Sequence, residues 1–296
     1  MIAVIVPTLN EEKAIGEVLE KFPAETHGHK VELYVIDGGS TDNTVSIAEE
    51  KGATVLRQHL TGGKGDAVRE AIEEIDADIY VMIDGDGTYD PEELDKILEP
   101  IVNGEAGHVI GKRVKREQGA IPTLNLAGNK IFNLFATIFT GESVEDMLSG
   151  FRAFTEESLH HTAFTRPGFG IETEMTLTAI ENNVAMKEVP ISYAKREGNS
   201  KLNPLRDGFR IFKTLAWSIR DISPLKFFTA SSLVLLLIAI YPSYIILQQK
   251  LSTGRIQDLG PAIFAGFLII IAVQLLIFGL LADQIKNVEN RLRSRI

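Results

Sequence analysis

The chain has 296 residues, enough for one large domain or two small ones, and no cysteine, which excludes disulfides and thiolate metal sites. Its net charge of −10 is unevenly divided: the first 194 residues hold 16 Lys/Arg and 34 Asp/Glu, whereas the stretch from Lys195 onward holds 14 and 6. So acidic a bulk offers nothing to a nucleic acid, and no nucleic-acid partner is expected. The opening "MIAVIVPTLNEE" has no basic segment and only a very short apolar run, so no signal peptide is expected there.

Over the first 110 residues, short β-rich runs alternate with helical patterns. Strands are predicted at 3–6, 32–36, 54–56, 79–83 and 108–110, and helices around 11–21, 42–51, 64–75 and 91–102. This alternation predicts an α/β fold with a mostly parallel sheet, in which ligands bind at the carboxyl ends of the strands. Those ends are polar here: "PTLNEE", "DGGSTDNT" and "DGDGTYD". After Gly111 the pattern loosens. Residues 124–139 are mostly apolar, with Asn125, Asn129, Lys130 and Asn133 interspersed. "FGIETEMTLTAIENN" then reads as a helix and "MKEVPISYA" as a strand.

Residues 205–220 form a predicted amphipathic helix. Leu205, Phe209, Phe212, Ala216 and Ile219 recur at helical spacing beside a stripe of Arg206, Arg210, Lys213 and Arg220. A basic amphipathic helix just before a membrane span is expected to lie in the interface. Residues 227–247 and 259–282 carry no charge, and each is long enough to cross a hydrocarbon core of ~30 Å. Pro242 and Gln274 interrupt these runs, which membrane helices tolerate. Basic residues flank the outer ends of the spans, and the loop between them has only Lys250 and Arg255. The positive-inside rule then puts both termini in the cytoplasm.

The stretch "YVMIDGDGTYDPEEL" holds the sharpest chemical signal. An apolar strand ends in Asp84 and Asp86, and two carboxylates this close repel unless a cation lies between them. Mg2+ or Mn2+, which bridges carboxylates to phosphate oxygens, fits the pair. A phosphatase of haloacid-dehalogenase type begins with similar letters, but its later GDxxxD is missing after residue 90. An EF-hand loop would need Gly and Glu where Tyr89 and Asp95 stand. Turn chemistry explains Asp90 before Pro91, but not two acids ending a buried strand.

Eight phrases follow one another in order: "VIVPTLNEE", "VIDGGSTDNT", "GGKGDAVREA", "DGDGTYDPEEL", "IGKR", "DMLSGFRAF", "GFGIETEM" and "REGNSKL". Together they resemble the family 2 inverting glycosyltransferases of GT-A fold. Among these, the likeness is to polyprenyl-phosphate (dolichol-phosphate) sugar synthases, especially the archaeal enzymes of S-layer glycosylation. It covers about residues 1–225. The implied layout is a GT-A domain at 1–203, an interfacial helix at 204–224 and a membrane region at 225–296.

The resemblance also implies roles. Pro7, Thr8, Leu9, Asn10, Glu11, Val35, Asp37, Lys64 and Gly85 are expected to line the nucleotide-sugar pocket with Asp84 and Asp86. Family members often have a second acid where this chain has Gly38. Asp84 and Asp86 would hold the metal, with Thr88 where the synthases carry a Gln ligand. Asp84, Asp86 and Arg113 would be catalytic. Arg113, Asn129, Lys130, Arg152, Arg196 and Lys201 would handle the acceptor phosphate. Thr41 and Asp42 read better as helix caps.

The expected reaction is transfer of one sugar from a nucleotide sugar, with UDP-glucose favoured, to a polyprenyl or dolichyl phosphate at the cytoplasmic membrane face, for protein glycosylation. The Q-x-x-R-W motif of processive synthases is absent, because the only Trp, Trp217, lies in "TLAWSIR". Two alternatives stay open. One is transfer to a sugar hydroxyl with Glu172 or Glu174 as base; the other is a catalytically silent membrane scaffold. A homo-oligomer is left open as well.

Overall fold

A computed structural model describes residues 1–60, 63–117, 119–160, 170–196 and 204–293. The described strands are β1 (Ile2–Thr8), β2 (Glu25–Thr26), β3 (His29–Asp37), β4 (Thr54–Arg57), β5 (Ile79–Met82), β6 (His108–Arg116), β7 (Arg152–Thr155) and β8 (Met186–Tyr193). The helices are α1 (Ile15–Glu20), α2 (Thr44–Glu50), α3 (Lys64–Glu74), α4 (Leu94–Val102), α5 (Thr123–Thr140), α6 (Glu156–His160), α7 (Ile171–Glu181), α8 (Pro204–Ile222), α9 (Pro224–Thr253) and α10 (Gly260–Arg293). The chain forms two compact units, Met1–Ala216 and Trp217–Ile296, and the division falls inside α8.

One sheet runs through the first unit in the order β3-β1-β5-β7-β6-β8, and β2 and β4 both pair with β3. The main strands are parallel except β7, which runs antiparallel between β5 and β6. The mostly parallel sheet is as expected. β7 itself was not expected, because a four-residue strand that begins with Arg has no apolar periodicity to announce it.

Alternation along β1 shows why these strands are almost wholly apolar. Ile2, Val4 and Val6 enter the core with Ile15, Leu19, Leu94 and Ile97. Ala3 and Ile5 enter a second core with Ala67, Val68 and Ala71. Successive side chains of a strand point to opposite faces, and here helices cover both. No face is left for polar residues, so they collect at the strand ends. The register brings those ends together, with Thr8 opposite Asp37 and Asp37 opposite Arg57. On the far side, β6 and β8 pair with a bulge at Val114, directly after Arg113.

The second unit contains α9 and α10, both long and apolar enough to cross a membrane. The candidate spans, Pro224–Thr253 and Gly260–Glu289, are 30 residues each, roughly 45 Å of helix. Only 17% and 22% of their most apolar windows are buried, so they are not core helices of a soluble domain. The two pack closely at Gly279, where a Cβ would come within 2.8 Å of Phe228 Cβ. Pro242 lies inside α9, as a membrane helix allows.

Candidate active site

The site is built where β1, β3 and β5 end. The loops after β1 and β3 are tied together by short bonds. Gly38 N donates to the Thr8 carbonyl at 2.9 Å, Asn10 N to Ser40 Oγ at 2.9 Å, and Thr41 N to Asn10 Oδ1 at 2.8 Å. Asn10 takes a left-handed backbone (φ 51°), a conformation that Asn tolerates. Asp37 is buried and accepts from the backbone N–H groups of Gly39 and Ser40. Asp42 accepts from Thr44 N at 3.1 Å, but the N-cap position of α2 is Asn43, so Asp42 closes the turn before the helix and is not the cap residue. Thr41 instead ties the loop to Asn10.

Asp84 and Asp86 follow β5. Gly85 between them cannot carry a side chain, since a Cβ would come within 2.7 Å of Thr8 Cγ2. Gly150 closes over the pair from the loop before β7; its Cβ would lie 2.5 Å from Asp84 Oδ2 and 3.1 Å from Lys64 Nζ. Lys64, the first residue of α3, places its ammonium on Asp84 Oδ1 and on Glu172 Oε1, the latter at 2.6 Å. Arg196 pairs with Glu11 and holds Nη1 3.3 Å from Asp86 Oδ2. Each of the two carboxylates therefore faces a cation of the chain itself.

Burial decides much of the electrostatics. It raises the Asp84 carboxyl; Lys64 pulls back, and the charges of Asp86 and Glu172 push further up. Burial works against the Lys64 ammonium too, but Asp84 and Glu172 outweigh it and hold the group firmly protonated. For Glu172 burial is again the largest influence, yet Lys64 wins and keeps the carboxylate below its usual range.

A second cluster flanks the first. Arg113 Nε and Nη2 grip Asp146 at 2.8 and 2.6 Å, and the Arg113 backbone N–H adds a third bond at 2.9 Å. Asn129 Nδ2 donates to Asp146 Oδ1 at 2.8 Å. Burial would raise the Asp146 carboxyl, but Arg113 reverses this and holds it low. The Arg113 guanidinium lies over the Tyr193 ring, 5.2 Å from its centroid. Tyr193 packs edge-on against Tyr89, whose Oη accepts from Gly150 N at 2.7 Å.

Several expected roles change. Val35 is fully buried in the core, so its side chain touches no nucleotide. Thr88 is 2% exposed, and its hydroxyl donates to Asp86 Oδ1 at 2.6 Å; it orients the Asp86 carboxylate and is not turned outward as a ligand. Arg152 is wholly buried, and its N–H groups go to the Ser149 and Met147 carbonyls and to Thr176 Oγ1. Burial pushes its pKa down to about 10. A phosphate cannot reach it, so Arg152 braces the loop that carries Gly150. Asn129 is buried and commits one of its amide N–H groups to Asp146, so it helps fix that carboxylate. Arg196 stands beside Glu11 and Asp86, among the residues expected for the nucleotide sugar and not with Arg113. Lys130 is exposed on α5, and Lys201 lies outside the described residues. Pro7, Thr8, Leu9, Asn10 and Glu11 run from the end of β1 into its loop, where Thr8 lies against Gly85, Asn10 ties the loop to Thr41 and Glu11 shares Arg196 with Asp86.

The roles of Asp146, Tyr89, Gly150 and Tyr193 went unassigned, although "DMLSGFRAF" contains two of these residues. One signal for Tyr89 was a bulky ring in a turn otherwise made of Asp, Gly and Thr.

Residues 3–162 match the family described as glycosyl transferase family 2. The chain is a family 2 glycosyltransferase. Glycosyltransferase AglJ of Haloferax volcanii is 38% identical over 303 residues, covering 100% of this chain and 97% of that protein. The dolichyl-phosphate hexose transferase of the same organism is 36% identical over 214 residues, 72% of this chain and 92% of that protein. Among solved structures, glucosyl-3-phosphoglycerate synthase of Mycobacterium tuberculosis with Mn2+ and UDP-glucose superposes with a TM-score of 0.61 at 26% identity, covering 74% of this chain and 79% of that one. This glycosyltransferase has the GT-A fold, and the GT-A neighbour named above binds Mn2+ with its nucleotide sugar.

A divalent metal fits the residues present. Asp84 and Asp86 offer hard oxygen donors, and both already draw cations. Among the described residues no group of three or more His, Cys, Asp or Glu is arranged to hold a metal. Phosphate oxygens and water would complete the shell, as is usual for Mg2+ sites that work on nucleotides.

Proposed function

We propose that this glycosyltransferase moves one sugar, with inversion, from a nucleotide sugar to a polyprenyl or dolichyl phosphate at the cytoplasmic face of a membrane. The product is a lipid-linked sugar for protein glycosylation. UDP-glucose is the favoured donor, in line with the nucleotide sugar bound by the M. tuberculosis neighbour.

One observation carries the choice of acceptor: the carboxylates around Asp84 and Asp86 are already engaged. Glu172 pairs with Lys64, Glu11 with Arg196 and Asp146 with Arg113. Glu174 is 5% exposed. A hydroxyl acceptor needs a base to take its proton. A phosphate monoester has a second pKa near ~6 and arrives ionised. A phosphate needs positive charge, and the site offers Arg113, Lys64 and Arg196, each held in place by a carboxylate. Arg113 is fixed by Asp146 through Nε and Nη2, and its Nη1 lies outside that grip. When bound, Mg2+ or Mn2+ neutralises charge developing on the leaving diphosphate. Thr88 holds Asp86 in place for that contact, and Glu172 keeps Lys64 beside Asp84.

The membrane placement rests on α9 and α10 and on the outward face of α8, where Phe209 is 70% exposed and Phe212 44%. Ile131, Leu134 and Ile138 form an exposed apolar row on α5, and the Phe135 ring of the same helix lies 6.1 Å from that of Phe212, tilted by 46°. Apolar surface of this extent, bordered by Arg and Lys, suits a lipid interface.

The test is a panel of radiolabelled UDP-glucose, UDP-N-acetylglucosamine and GDP-mannose, given to membranes containing the protein with short polyprenyl phosphates. One donor should give label that extracts into organic solvent. Metal-dependent release of free sugar with no lipid product would sink the reading.

A further inference from the structure

The two cations on the aspartate pair invite a question that the transfer reaction leaves unanswered. Lys64 and Arg196 come from distant parts of the chain, α3 and the segment after β8, yet each contacts a different member of the pair. Neither cation is free to wander. Lys64 is held by Glu172 and roofed by Gly150, and its side chain is only 17% exposed. Arg196 is anchored on Glu11. Its Nε is buried with no acceptor among the described residues, so one strong donor waits for an oxygen that the chain does not supply.

We propose that Lys64 and Arg196 are counter-ions standing in for the divalent metal, so that metal and nucleoside diphosphate bind only in company. This rests on the metal-dependent reading above and adds a binding order to it. A divalent ion arriving alone must displace both cations from the aspartates, leaving two positive charges beside it in a poorly hydrated site with only Glu172 and Glu11 to share them. A nucleoside diphosphate arriving alone would have to draw the two cations away and so leave Asp84 and Asp86 uncompensated beside its own charge. Arriving together, they exchange partners: the aspartates take the metal, and the ammonium and guanidinium turn to phosphate oxygens. Charge-assisted bonds to phosphate then replace those lost to carboxylate, with Arg196 Nε gaining its missing acceptor. Glu11 and Glu172 stay in place and keep both cations within reach. The same exchange accounts for four acids and two cations crowding one strand edge.

The experiment uses the full chain in detergent. Mn2+ binding is followed by electron paramagnetic resonance, with and without UDP, and UDP binding by calorimetry. Wild type should bind Mn2+ weakly alone and much more tightly with UDP. In Lys64→Met and in Arg196→Gln, Mn2+ alone should bind at least about tenfold more tightly, the lower bound set by the couplings of close charge pairs. UDP should bind more weakly, and the gain that UDP gives Mn2+ should shrink. Lys187→Ala, which removes a cation paired with Glu105 elsewhere on the domain, should leave Mn2+ binding unchanged. Having two independent variants guards against one that folds poorly. Unchanged Mn2+ affinity in both variants, with UDP-dependent binding kept, overturns this proposal alone. An equal gain in Lys187→Ala overturns it as well, because net charge would then be the cause. Failure of wild type to bind Mn2+ even with UDP overturns both this proposal and the metal-dependent transfer.

Discussion

Gly150→Ala adds one methyl group at the point where the site is tightest. The new Cβ would stand 2.5 Å from Asp84 Oδ2, 3.0 Å from its Cγ and 3.1 Å from Lys64 Nζ. The backbone at Gly150 cannot retreat easily, because its N–H is held by Tyr89 Oη at 2.7 Å and Tyr89 is buried among Phe151 and Tyr193. Asp84 must therefore give way, by roughly half to one ångström to reach ordinary contact. A misplacement of about 1 Å in a reacting constellation costs on the order of 100-fold in rate, or about 2.7 kcal/mol of barrier. Overpacking adds a cost in stability of about 1–3 kcal/mol. The assay is sugar transfer at saturating donor, together with thermal unfolding. Gly128→Ala is the matched control: nothing lies within 4 Å of its added Cβ in α5, and an alanine there should stabilise by about 0.5–1 kcal/mol. A Gly150→Ala enzyme with wild-type turnover and unchanged Mn2+-dependent UDP binding would refute the close approach on which the site is built.

Asp86→Ala should remove most activity and make UDP affinity insensitive to Mn2+; calorimetry showing equal metal dependence in the variant would contradict this. Arg113→Ala strands a buried Asp146 carboxylate and should cost about 3–5 kcal/mol of stability, whereas adding Asp146→Ala should recover part of the loss. Strict additivity of the two in denaturant unfolding would show that the pair does not couple. Asp146 is also a pH reporter. Its folded pKa is below its unfolded value of 3.8, so its contribution is complete above that value and fades as pH falls through the folded pKa. The stability gap between wild type and Asp146→Asn should thus narrow only below about pH 4, and a gap that closes between pH 5 and 7 would assign the effect elsewhere. For topology, Ser252→Cys should be labelled by an impermeant reagent from outside and Ser294→Cys should not; the reverse pattern would invert the proposed orientation.

The sequence by itself carried everything local. Strand–helix alternation, polar strand ends, the Asp84–Asp86 doublet and two uncharged apolar stretches are all periodic or contiguous signals. They sufficed for a mostly parallel sheet, for the edge on which the site lies and for the pair of long apolar helices. Tertiary structure decided which charges meet. Lys64 and Glu172 lie 108 residues apart, and Arg196 and Glu11 lie 185 apart. No spacing rule links such residues, because their contact is set by which strand ends the sheet brings together. It also decided which charges are inaccessible. Arg152 reads as a phosphate ligand in "DMLSGFRAF", but a single antiparallel strand between β5 and β6 buries it against carbonyl oxygens. An arginine two residues after a glycine looks the same in sequence whether it holds a substrate or a loop. Only packing, by removing water from one and not the other, tells them apart.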